Sequence, residues 1–394
     1  MRAPLILNAS YLAATSFSLT TKRAAPTCTD ITLPVSIKAQ NLNLPSTLNA
    51  SNFADFIKSL GGSAFDLLTN TIDIEGTYNI AGTYCEPAVS IPSRASTLQF
   101  LVHGITQTRT YWSALGPAAT ESEYSWLDYA SSQGYPTFSI DRLGAGASDH
   151  PDGLLTVQIF SQVQVIKSIV DTIKNSTSVG GKSWEKVIYV GHSFGSELAN
   201  AYQHSYPTGG VDAYIMTGYT PYINNGLPAL AALGQAAPAD LVLPERFGSL
   251  DPSYLTATNQ NGTDHLFFYV PDIDPSLLET SWTTRGTVTL GEIISTLLTP
   301  YNVPAYTGDL FVVTGQQDAI FCAEGIGGIE TIVTMVGDCG SGATSKAAAV
   351  KGQYPNVRNF GTFEPEDTGH GTVLQYSAQS QFKEAHDWLA SVGY

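Results

Sequence analysis

The chain has 394 residues, of which 43% are hydrophobic and only 13% charged, and its net charge is −16. The length allows two average domains or one large α/β unit with insertions, and no stretch marks a clean linker. The acidic balance and the lack of any Lys/Arg cluster exclude nucleic acid and anionic membrane as partners, because phosphate binding draws on positive charge.

From the N-terminus, MRAPLILNASYLAATSFS has a minimal basic start at Arg2, an apolar stretch and small residues near Ser16 to Ser18, which reads as a signal peptide. Lys22-Arg23 follows as a dibasic processing site, so residues 1–23 are expected to be a signal peptide and short pro-segment. Acceptor sequons for glycosylation begin at Asn49, Asn175 and Asn261, and the four cysteines are an even number, as in a secreted, extracellular protein. No later stretch approaches the ~18 continuous apolar residues of a membrane span, so a soluble product without a membrane anchor is expected, with a monomer favoured. Four cysteines allow three pairings. The expected one is Cys28 with Cys85, tying the N-terminal segment to a hairpin, and Cys322 with Cys339, closing a short Gly-rich loop.

The stretch IDIEGTYNIAGTYCEPA (72–88) alternates around Gly76 and Gly82 and predicts a hairpin, so residues 24–95 read as an N-terminal segment and the leading hairpin of a sheet. Beyond it, TLQFLVHG (97–104), PTFSID (136–141), KVIYVGHS (186–193), VDAYIMTG (211–218), DLFVVTG (309–315) and VRNFGTF (357–363) are short apolar runs bounded by turn residues. Helical periods lie between several of them, clearest over 157–175, where Ile159, Val163, Ile166, Val170 and Ile173 share a face. Buried strands joined by helices predict an α/β fold with a mainly parallel central sheet covered on both faces. Residues 96–218 and 309–394 form the two parts of this core. The gap at 219–308 is too long for a connection and carries apolar helical pieces, so an inserted, mostly helical cap is expected there.

Gly191-His192-Ser193-Phe194-Gly195 fits G-x-S-x-G with a strand before it and a helix after it. The glycines let the turn close tightly enough to push the Ser193 hydroxyl out above the sheet, beside the N-terminus of the following helix. A serine needs a base to take its proton, and the base needs a carboxylate to hold its tautomer. Asp318 follows DLFVVTG, with Asp367, Glu366 and Asp338 as rivals, and His370 follows VRNFGTFEPED. His192 is expected to point away, His103 belongs to another motif, and His150, His204, His265 and His386 lack a strand-to-loop setting. The oxyanion of an acyl-transfer reaction would be met by the backbone N–H of Phe194 and by one after FLVHG, Ile105 with Thr106 as the near alternative.

In the order LVHGITQTRTYW, IDRLGAGASDHP, YVGHSFGSE, VVTGQQDAIF and DTGHGTVL, the chain resembles the capped, His-Gly type of α/β-hydrolase, of the secreted fungal kind. The likeness covers residues 95–218 and 305–394, with His-Gly-Ile-Thr in place of the HGGG of some lipases. It implies that DRLGAGASD packs beneath the site. Gly144-x-Gly146 also resembles the start of a dinucleotide fingerprint, but the third glycine position holds Asp149. There is no Walker loop, H-E-x-x-H or zinc-spaced Cys/His cluster, so neither cofactor nor metal is expected.

The resemblance implies hydrolysis through an acyl-enzyme on Ser193. The apolar residues Leu230, Leu233, Leu243, Phe247, Phe267 and Phe268 of the cap suggest a hydrophobic small-molecule substrate. A carboxylic-ester hydrolase, lipase or lactonase included, is expected. An amidase or peptidase, a C–C bond hydrolase on the same triad, and a non-catalytic binding protein on the same fold are the alternatives.

Overall fold

In the computed structural model, the described residues are 25–60, 69–118, 122–222, 235–297, 299, 301–322 and 336–394. The expected signal peptide and pro-segment, and Leu230 and Leu233 of the cap, lie outside them.

An eight-stranded sheet forms the centre. Its strands are β1 (Thr27–Leu42), β2 (Thr71–Glu86), β3 (Thr97–Val102), β4 (Thr137–Ile140), β5 (Lys186–His192) and β6 (Ala213–Thr217). After an insertion carrying β7 to β9, the sheet resumes with β10 (Asp309–Val313) and β11 (Asn359–Phe363). The strand order is β1-β2-β4-β3-β5-β6-β10-β11. The pairs β1/β2 and β2/β4 are antiparallel, and every pair from β4 to β11 is parallel. All residues of β3, β4, β6 and β10 are buried, as the unbroken apolar runs require of strands covered on both faces.

The first two strands differ from the sequence expectation. Residues 72–88 do not turn back on themselves. They belong almost wholly to the single strand β2, which runs through Gly76 and Gly82 and pairs along its whole length with β1 from Thr27↔Glu86 to Leu42↔Thr71. The hairpin partner is therefore the 16-residue strand TCTDITLPVSIKAQNL, whose Leu33, Val35 and Ile37 alternate onto the buried face. Cys28 and Cys85 sit directly opposite each other and are joined, and Cys322 is joined to Cys339, so both expected disulfides are present.

Helices cover the sheet. They include α1 (Phe53–Leu60), α2 (Trp126–Ser132), α3 (Ile159–Asn175) and α4 (Phe194–Ser205). In α3 the five apolar residues of the predicted face are all buried, which pins this helix to the sheet. Between β6 and β10 the insertion carries α5 (Ala239–Val242), α6 (Pro244–Phe247), α7 (Gln260–Phe267), α8 (Pro275–Thr284) and α9 (Leu290–Thr296). It is not helical throughout. The short strands β7 (Ala237–Pro238), β8 (Tyr254–Thr256) and β9 (Val288–Thr289) form a small antiparallel sheet of their own. The chain ends in α10 (Ala378–Ser391). Among the described residues no helix is long and apolar enough to cross a membrane.

Candidate active site

Ser193 stands between the last residue of β5 and the first of α4, with φ 53° and ψ −118°, a backbone conformation that a non-glycine residue adopts only when its surroundings enforce it. The enforcement is visible. Its N–H donates to the Thr217 carbonyl at 2.9 Å, and its own carbonyl accepts from Ser196 and Glu197 in the first turn of α4. The flanking glycines permit the close approach, since a Cβ on Gly191 would stand 2.6 Å from the Gly195 carbonyl oxygen, and one on Gly195 would overlap the carbonyl of Val102 in β3.

Asp318 lies in the loop after β10 and His370 in the loop after β11, and the parallel register of β10 with β6 and β11 brings both loops to the end of the sheet where Ser193 stands. His370 Nδ1 donates to Asp318 Oδ2 at 2.8 Å, with both side chains fully buried. Asp318 Oδ1 accepts from the N–H groups of Ile320 and Phe321 at 2.8 and 2.9 Å, so the carboxylate is oriented by its own loop. Holding the proton on Nδ1 leaves Nε2 as the basic nitrogen of the imidazole. Among the described residues that buried Nε2 has no hydrogen-bond partner, Ser193 Oγ included. Of the rival acids, Glu366 and Asp367 are exposed, and Asp338 accepts from the Gly340 N–H.

The His370 ring is boxed by aromatic groups. Phe267 from the insertion, Phe321 from the acid loop and His192 have ring centroids 5.7, 5.6 and 5.0 Å away. His192 therefore does not point away from the site. Its ring stacks on Tyr111 at 4.4 Å, its Nδ1 meets Thr217 Oγ1 at 3.0 Å, and burial holds its pKa well below the ordinary value, with His370 adding to the effect. It is a neutral wall of the site. The insertion also grips the histidine loop through its backbone, where Gly371 N–H donates to the Phe267 carbonyl at 2.5 Å and Tyr269 N–H to Gln375 Oε1 at 2.7 Å.

Among the described residues, the N–H groups of Phe194 and Ile105 make no hydrogen bond, whereas the Thr106 N–H is taken by the Thr287 carbonyl at 3.1 Å. Of the two candidates after FLVHG, only Ile105 keeps a free donor. Thr106 has φ 56° and also accepts from the Gly286 N–H at 2.7 Å, so the insertion holds the Ile105–Thr106 loop from both directions. Asp141 of DRLGAGASD closes its own turn by accepting from the N–H groups of Arg109 and Ala147 at 2.7 and 2.8 Å. Its neighbour Arg142 is buried and pairs with Glu292 of α9, a relation that sequence reasoning missed. Two signals were available: an arginine at the end of an apolar strand in a chain poor in charge, and the capping-box spacing of Thr289 and Glu292. The sequon residues Asn49, Asn175 and Asn261 are all exposed. Among the described residues no cluster of His, Cys, Asp and Glu has the arrangement of a metal site.

A mainly parallel sheet with helices on both faces, a serine on the strand-to-helix elbow after β5 and an insertion after β6 define the α/β-hydrolase fold. The chain matches the alpha/beta hydrolase family over residues 99–384, and it belongs to that family. No curated protein matches it. Among solved structures it is similar to a bromoperoxidase from Bacillus anthracis, 14% identical over 80% of this chain and 96% of the other, with a TM-score of 0.51. It is also similar to an esterase from Exiguobacterium antarcticum, at 14% identity, 80% and 96% coverage and a TM-score of 0.49. An epoxide hydrolase from Vigna radiata stands at 13% identity, 79% and 95% coverage and a TM-score of 0.46. At such identities the likeness extends to the fold and no further.

Proposed function

We propose that the protein is a secreted serine hydrolase that cleaves a carboxylic ester of a hydrophobic substrate through an acyl-enzyme on Ser193. One observation carries this: a serine held at positive φ on the elbow shares a sheet end with a buried imidazole whose Nδ1 is bound by Asp318 and whose Nε2 has no partner among the described residues. In this reaction His370 Nε2 takes the Ser193 proton as Oγ attacks the carbonyl, and the Asp318 carboxylate stabilises the imidazolium that forms. The oxyanion is met by the Phe194 and Ile105 N–H groups, the first helped by the positive end of α4. His370 then returns its proton to the leaving alcohol, and water attacks the acyl-enzyme by the same route in reverse. The separation of Ser193 Oγ from a hydrogen bond with Nε2 is in keeping with a resting site, where such bonds are often unformed until substrate arrives.

The aromatic box around His370 supports a hydrophobic acyl or alcohol group, since the Phe267 and Phe321 rings stand beside the imidazole. Two disulfides support folding in an oxidising compartment, and the exposed sequons support glycosylation there. The test is Ser193→Ala, with an ester, lactone and amide panel. The expected result is loss of ester hydrolysis and of labelling by a fluorophosphonate with unchanged thermal unfolding, and equal labelling of variant and parent removes Ser193 from the mechanism.

A further inference from the structure

Arg142 follows β4 and carries a full charge on a side chain that is almost completely buried. Its guanidinium donates four hydrogen bonds. Nε donates to the His103 carbonyl at 3.1 Å and Nη2 to the Gly104 carbonyl at 3.2 Å, while Nη1 donates to Gln162 Oε1 at 2.9 Å and to Glu292 Oε1. The same group lies 4.5 Å from the centre of the Phe194 ring. The Arg142 backbone N–H donates to His103 Nε2 at 3.1 Å, so the proton of that ring sits on Nδ1, which donates to the Gly104 carbonyl at 2.7 Å. Two donors therefore hold one carbonyl.

In a planar trans peptide the C=O and the following N–H point in opposite directions. Fixing the Gly104 oxygen toward Arg142 and His103 thus turns the Ile105 N–H the other way. Ser193 borders this peptide, for a Cβ on Gly104 would stand 2.9 Å from Ser193 Cβ. A guanidinium suits the task because its rigid fork reaches two carbonyls and a carboxylate at once, which a lysine ammonium cannot do. Glu292 is itself locked, since its Oε1 also accepts from Gln162 Nε2 at 2.7 Å and its Oε2 caps α9 by accepting from the Thr289 N–H at 2.8 Å.

We propose that Arg142 is a positioning residue for the oxyanion donor at Ile105, held in register by Glu292, so that the insertion and the oxyanion loop act as one unit. This rests on the serine-hydrolase function proposed above. Replacing both partners of a buried ion pair by packed apolar residues of similar volume is often neutral for stability, so stability alone does not account for a pair at this place, and a role in fixing an orientation does.

The test is Arg142→Lys, which keeps a positive charge for Glu292 but gives up the fork, with Glu292→Gln as a second variant that leaves the arginine in place and removes its counter-charge. Folded Arg142→Lys is expected to lose about 10–100-fold in kcat with KM within about twofold of the parent. Its affinity for a boronic acid transition-state analogue should fall in the same ratio as kcat/KM, while affinity for the carboxylate product holds. Glu292→Gln should move the same readouts in the same direction by less. A crystal structure of Arg142→Lys should show the Gly104 carbonyl turned from its parent direction. Parent-like kcat and boronate affinity in a folded variant, losses that follow only the folded fraction, or an unmoved Gly104–Ile105 peptide each overturn the proposal. A parent protein that hydrolyses no ester and takes no fluorophosphonate overturns the serine-hydrolase function instead, and the direction of the Gly104 carbonyl in the variant still decides the role of Arg142.

Discussion

Asp318 meets the His370 imidazole at Nδ1, 2.8 Å away, from a loop that shares no chain neighbours with the histidine and reaches it only because β10 and β11 run parallel side by side. The acid loop offers a buried carboxylate already oriented by two of its own N–H groups, whereas Glu366 and Asp367 on the histidine's own loop are exposed. Replacing Asp318 by Asn keeps the shape but presents an amide that favours the wrong imidazole tautomer, and the loss in kcat should be on the order of 10⁴. Steady-state kinetics on an ester substrate checks this, and a near-parental rate moves the acid to Glu366 or Asp367.

The two disulfides should separate stability from activity. Cys322–Cys339 closes around the acid loop, where the Cys322 N–H donates to the Asp318 carbonyl at 3.1 Å and the Cys339 N–H to the Gln316 carbonyl at 2.9 Å. Cys28–Cys85 joins β1 to β2 at the far edge of the sheet. Loop-closure entropy makes removal of the short bridge cost about 3 kcal/mol and of the long one about 4 kcal/mol. Double serine variants should therefore rank one way in urea midpoint, with the β1–β2 variant the less stable. They should rank the opposite way in kcat, with only the acid-loop variant impaired, by up to about 100-fold. Equal kcat in both variants shows that the short bridge does not brace Asp318.

Much of this arrangement was legible in the chain because Ser193 and Asp318 each follow a strand that is almost wholly buried and announces itself as a short apolar run, and the half-buried edge strand β11 before His370 still shows as the run VRNFGTF. The β1–β2 pair was misread for a local reason: Gly76 and Gly82 look like turn residues, and nothing near them shows that a partner strand of equal length lies upstream. Arg142 and Glu292 are 150 residues apart, so no periodicity or spacing could join them, although each had a local sign of burial or capping. The position of His192 was misjudged for a third reason. Its place in the pentapeptide suggested that it points away, but the turn at Ser193 leaves its ring packed between Tyr111 and His370.

Acid should begin to destabilise the fold below about pH 6.5, through a buried histidine that stays neutral. Burial pushes the pKa of His386 down to about 4, and its surroundings explain why it stays neutral: Nδ1–H donates to the Phe382 carbonyl at 2.7 Å and Nε2 accepts from Gln99 Nε2 at 3.0 Å. Gln99 cannot turn to suit an imidazolium without losing the bond that its Oε1 accepts from Trp126 Nε1 at 2.7 Å. The unfolded chain takes up a proton at this residue near pH 6.5 and the native one only near 4, so stability is full above the first value and falls as pH drops between them. The limit for one such residue is on the order of 3 kcal/mol. His103 and His192, also lowered by burial, add in the same direction. Urea unfolding at pH 7 and pH 5 should show the parent losing more stability on acidification than His386→Gln, and an equal pH dependence in the two shows that His386 is charged in the native state.

Glu197 should act in the opposite sense. It lies in the first turn of α4, its N–H donates to the Ser193 carbonyl, and both of its carboxyl oxygens are buried without a hydrogen-bond partner among the described residues. Burial pushes its pKa well above the usual carboxylate range, so the native protein holds a proton that the unfolded chain releases near pH 4.5. The native state then binds more protons than the unfolded one, and this residue's contribution weakens as pH rises above that value. Glu197→Gln keeps the neutral shape and removes the titration. The variant and the parent should unfold at nearly the same urea concentration at pH 5, and the variant should become the more stable of the two at pH 8. A difference that does not grow with pH means that Glu197 is ionised in the folded protein, and the unpartnered oxygens must then be satisfied by water reaching the first turn of α4.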